Sequence, residues 1–116
     1  MRNKKLWIAK ATTFAAAGVL MLAVSAQAQE AKQAYDKQCA TCHGPAGKGD
    51  GPAAKMLKPP PQDFSTALKG MSDADIAKVI KEGGKAVGKS ASMPGYGTKL
   101  SDDQIKALVA LIKDMK

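Results

Sequence analysis

Aromatic residues are nearly missing from this chain: two Tyr, two Phe and one Trp occur among 116 residues. Trp7 and Phe14 fall in the N-terminal stretch, so everything after residue 28 has only Tyr35, Phe64 and Tyr96. A small domain is marginal even with a well-filled core, and large apolar side chains are here too few to fill one. Something other than side chains is therefore expected in the middle. Cysteine is as scarce, with two residues, and histidine occurs once. A structural zinc site takes four ligands, usually Cys and His, and the chain holds three such residues in all. Arginine is absent after Arg2, and the lysines form no basic cluster, which argues against nucleic-acid binding.

What is present begins with a leader-like segment. Arg2, Lys4, Lys5 and Lys10 precede an uncharged, mostly apolar run that ends in Ala26-Gln27-Ala28. Positive, apolar and small-residue regions in that order read as an export signal cleaved before Gln29. A cut after Ala26 is the second possibility. The apolar run is also almost long enough to span a bilayer, so an uncleaved anchor is the competing reading. Cleavage before Gln29 leaves one domain, residues 29–116, which is 88 residues long. The whole-chain net charge of +8 then falls to +4, carried by Lys alone. Such a domain is expected in the periplasm, without stable membrane insertion.

No segment of residues 29–116 reads as a strand. Ala31, Tyr35, Cys39 and Cys42 recur at helical spacing, so a helix is expected from Glu30 to Cys42, stopped by Gly44 and Pro45. Gly44, Gly47, Gly49 and Gly51 make a loop, and Pro52 to Leu57 a short helical piece. Pro59-Pro60-Pro61 is expected to run extended. Ser72 caps a helix striped by Ile76, Val79 and Ile80 and ended by Gly83 and Gly84. Ser101 and Gln104 form a capping box before the apolar face of Ile105, Leu108, Val109, Ile112 and Met115. The Gly-rich segment from Gly83 to Leu100 lies between these two helices. Loops of that length are uncommon in a compact domain unless something holds them.

Both cysteines and the histidine fall within Cys39-Ala-Thr-Cys42-His43. The pattern C-x-x-C-H is the attachment signature of c-type haem. Two thiols one helical turn apart face one side and can add to two vinyl groups, and the adjacent imidazole can reach the iron. A disulfide between Cys39 and Cys42 would leave His43 unexplained. A thioredoxin-like CxxC follows a strand, and none precedes this one. One covalently held haem c would also supply the missing core.

The run Tyr35 to Gly44, followed about fifty residues later by Met93-Pro-Gly-Tyr-Gly-Thr-Lys-Leu-Ser and the last helix, resembles the small class I cytochromes c. The resemblance covers nearly all of residues 29–116. It implies an all-α fold of three to five short helices around one haem, with the first and last helices crossing. It also implies that His43 and Met93 bind iron from opposite sides, and that the Pro52 carbonyl accepts a hydrogen bond from His43. A thioether ligand raises the potential of haem iron. Met56, Met71 and Met115 are the other methionines to be weighed against Met93. Tyr35 matches the aromatic of the family's first helix. Three features depart from the pattern: Leu111 stands where many relatives have an aromatic, Ala31 where Gly is common, and the Pro run leads to Phe64, whose place is either the haem edge or surface-loop packing.

The implied function is one-electron transfer by a monomeric carrier, not an enzyme. Two protein ligands on iron leave no site for a substrate. A peroxidase or gas binder needs an open sixth position, and the chain has no second His and no Arg after residue 28. Lysines suit brief docking on the acidic surfaces of redox proteins.

Overall fold

The computed structural model describes residues 14–115; Arg2, Lys4, Lys5 and Lys10 of the expected leader lie outside them. Among the described residues there is no strand. Five α-helices follow in order: α1 (Phe14–Gln38), α2 (Ala40–His43), α3 (Phe64–Ala67), α4 (Asp73–Glu82) and α5 (Asp102–Asp114). Single 3-10 turns occupy Ala54–Met56 and Lys85–Val87. The expected all-α architecture is found.

Helix α1 is longer than its apolar stripe predicts, because Ala, Leu and Met favour the helix ahead of Glu30 as well. Its two parts have different surroundings. Val19, Leu20, Met21, Leu22 and Val24 are 61–77% exposed, whereas Ala31 and Tyr35 are buried. From Ala31 onward the helix packs on α5, the most extensive contact between any two elements. Tyr35 and Leu108 are fully buried, and Ile105, Val109 and Ile112 join Leu108 on the inner face of α5.

Helix α4 adds Ile76 and Ile80 to the same core. It is held beside α5 by exposed ion pairs, Lys81–Asp102 at 2.8 Å and Lys113–Asp73. Such pairs contribute about 0–1 kcal/mol each, so apolar burial sets the packing and the charges only favour its register. Both helices start with capping boxes, Ser72 with Asp75 and Ser101 with Gln104. The short helix α3 was not apparent from periodicity. Asp63 caps it, accepting from the Ser65 N–H at 2.8 Å. The Pro59–Pro61 segment enters through a cis Lys58–Pro59 bond and a bend at Pro59.

Candidate haem site

The expected helix from Glu30 to Cys42 is broken at Cys39. The Cys39 N–H still bonds the Tyr35 carbonyl at 2.8 Å, but the Cys42 N–H bonds the Cys39 carbonyl at 3.1 Å, one residue nearer than an α-helix requires. The chain restarts as the single turn α2 and ends at Gly44, whose φ of 80° and ψ of 165° form a region essentially reserved for glycine. This break and stop expose the Cys39–His43 segment to the interior between α1, α4 and α5.

That interior is a cavity of about 380 Å³, mostly apolar, within the range of about 300–1,000 Å³ typical of ligand sites. Cys39, Cys42, His43 and Met93 all line it. The walls come from Ile76, Val79 and Ile80 of α4, and from Leu108 and Ile112 of α5. Tyr35, Phe64 and Tyr96 also line it, so all three aromatics of the domain surround one space. The shortage of core side chains seen in the sequence thus appears as a single large apolar cavity.

Both thiols are free and half-buried, and no disulfide joins them. Burial, followed by the neighbouring Cys42, pushes the Cys39 thiol up to about 11. Burial also lowers the His43 pKa, which favours the neutral imidazole that a metal requires. The His43 ring stacks on Phe64, with centroids 5.0 Å apart and planes at 30°. Phe64 meets Tyr35 edge-on at 6.4 Å. Phe64 is therefore a buried support for His43 rather than surface-loop packing; the Asp63 cap ahead of it was the available signal.

His43 Nδ1 is buried and without a hydrogen-bond partner. The expected bond from His43 Nδ1–H to the Pro52 carbonyl is not made in this structure, where the ring leans on Phe64 instead. Pro52 nevertheless sits close under α2. The flanking Gly51 and Ala53 N–H groups bond the Cys42 and Thr41 carbonyls at 3.2 and 3.0 Å. A buried imidazole kept neutral, beside two free thiols in an apolar cavity, fits a covalently held haem.

The four methionines after residue 28 separate clearly. Met56 is 79% exposed. Met115 packs on the core but does not line the cavity, whereas Met71 and Met93 both do. The Met93 loop is strapped to the end of α4. The Gly84 N–H bonds the Met93 carbonyl at 3.0 Å, and the Tyr96 and Gly97 N–H groups bond the Ile80 and Lys81 carbonyls at 2.9 and 3.0 Å.

Comparison with known proteins settles the family. The protein family described as cytochrome c oxidase, cbb3-type, subunit III matches residues 26–112. The chain belongs to this family. It is a small c-type cytochrome domain, whose business is electron transfer rather than the conversion of a substrate. It is 29% identical over 91 residues to the Cbb3-type cytochrome c oxidase subunit CcoP of Azospirillum brasilense, covering 78% of this chain and 29% of that protein. Among solved structures it resembles a chain of the Kuenenia stuttgartiensis reducing HAO-like protein complex, with TM-score 0.62 and 27% identity, over 78% of this chain and 44% of the other. The chain thus spans less than a third of the curated relative and less than half of the structural one.

Proposed function

We propose that this cytochrome domain holds one haem c, attached through Cys39 and Cys42, and passes single electrons between protein partners in the periplasm. The observation that carries the proposal is that one apolar cavity is lined by both thiols, by His43 and by the strapped Met93. The haem supplies a one-electron iron centre; the chain's part is to place ligands, exclude water and set the polarity around it. His43 would hold the iron as a neutral imidazole through Nε2, with Nδ1 left to donate to the Pro52 carbonyl. Met93 would provide the second ligand and close the iron to substrates.

Residues 1–28 act as an export signal cleaved before Gln29. In support, Val19, Leu20, Met21, Leu22 and Val24 ahead of Gln29 are exposed, apart from the core. No helix among the described residues is long and apolar enough to cross a membrane. The lysines favour acidic docking surfaces on redox proteins, and the free domain is a monomer. A second arrangement, the same domain working as a fixed subunit, is favoured by the relatives, whose names place them in an oxidase and in a protein complex. Co-purification from periplasm separates the two.

Intact mass tests the attachment. The exported protein should have the mass of residues 29–116 plus one haem that survives acid-acetone extraction. Cys39→Ser or Cys42→Ser should lower holoprotein yield severely, because the haem is both filler and staple. A freely extractable haem, or the mass of the full chain, contradicts the proposal.

A further inference from the structure

The break at Cys39 has an effect on the carbonyl just before it. In a continuous helix the Gln38 carbonyl would accept from the Cys42 N–H, four residues on. That N–H is directed to the Cys39 carbonyl instead. The donor that meets Gln38 is the Tyr96 hydroxyl, at 3.0 Å, across 58 residues of sequence.

Tyr96 is three residues beyond Met93 and is anchored at both ends. Its backbone N–H is bonded to Ile80 of α4, and its carbonyl accepts from the Lys99 and Leu100 N–H groups at 3.0 and 2.9 Å. Its ring is buried along the cavity and its phenol ends on α1, one residue before the Cys39–His43 segment. The only other phenol after residue 28 behaves differently. Tyr35 donates to the Gly44 carbonyl at 2.6 Å, within the His43 side of the cavity. Tyr96 alone joins the Met93 loop to the His43 side by a side-chain hydrogen bond among the described residues.

We propose that Tyr96 is a positioning residue: its phenol latches the Met93 loop to the Gln38 carbonyl and holds the Met93 and His43 segments at a fixed separation. The latch rests on the reading of Met93 as an iron ligand. Opening the loop requires breaking this part-buried bond and leaving the Gln38 carbonyl without its phenol donor, which biases the loop toward its closed position. Tyr96→Phe keeps the ring and removes only the donor.

The test uses haem-loaded protein and two observables, the weak far-red sulfur-to-iron absorption of the ferric form and the carbon monoxide association rate of the reduced form. Val109→Ala serves as the stability control, because Val109 is buried but does not line the cavity. Tyr96→Phe should weaken the band and raise the association rate about fivefold, the scale of one lost neutral hydrogen bond. Val109→Ala should lower the melting temperature and leave both observables unchanged. A normal band in wild type with an unchanged rate in Tyr96→Phe overturns the latch and leaves Met93 ligation standing. An equal rise in Val109→Ala also overturns the latch, since general loosening would then suffice. A wild-type protein without the band overturns Met93 ligation and the latch together.

Discussion

Helix α4 has a methionine beyond each end, and the two are held by different means. Met71 precedes the Ser72 cap and is kept in place by one local bond, from its N–H to the Leu68 carbonyl at 3.2 Å. Met93 follows α4 by eleven residues, yet its loop is pinned back on the helix end by backbone bonds from Gly84, Tyr96 and Gly97. Both thioethers line the cavity, so sulfur chemistry does not distinguish them. What differs is how much of the surrounding backbone is fixed.

The Met93 end is the one a single methyl group should damage most. Gly83 closes α4 at φ 85° and ψ 167°, nearly the conformation of Gly44 after His43. A Cβ there would lie 2.8 Å from the Gly95 nitrogen and 2.9 Å from the Met93 carbonyl, both backbone atoms of the strap. Gly83→Ala should cost about 1–3 kcal/mol from the dihedrals alone, read as a lower denaturation midpoint, with a weakened far-red band. A variant with normal stability and a normal band would break the comparison.

At the opposite end the expected effect is smaller and confined to stability. Ser72→Ala removes the acceptor of the Asp75 N–H, at 3.1 Å, and should cost about 1 kcal/mol without altering the band. A change in the band would show that the Met71 end also sets ligation.

Smaller still is the pH dependence of that cap. The Asp75 carboxyl is held below its ordinary value of 3.8, first by the Ser72 hydroxyl and then by the Ser72 N–H. As pH falls, the unfolded chain takes up this proton before the folded one. The contribution is therefore complete above about 3.8 and lost as pH drops through the lower folded value. Melting temperatures of wild type and Asp75→Asn should converge toward acid; a gap that widens would reverse the sign.

The same contrast explains what could be read from sequence. Local signals were legible: the Ser72 and Ser101 caps, the stripes of α4 and α5, and the Cys39–His43 motif all act within a few residues. The break at Cys39 was not, because Ala31, Tyr35, Cys39 and Cys42 keep the same spacing whether or not the helix continues. Contacts distant in sequence were also hidden, including Phe64 on His43 and Tyr96 on Gln38. Both depend on loops that periodicity does not describe. The Pro52 carbonyl bond, implied by resemblance, is not formed in this structure, where Phe64 stacking sets the His43 ring.

The central claim is that Met93, rather than Met71, would hold the haem iron together with His43. The far-red absorption of ferric holoprotein, recorded for wild type, Met93→Ala and Met71→Ala, tests it most directly. The account predicts the band in wild type and Met71→Ala and its loss in Met93→Ala, with carbon monoxide binding opened only in Met93→Ala and its potential lowered. Loss of the band in Met71→Ala but not in Met93→Ala would contradict it.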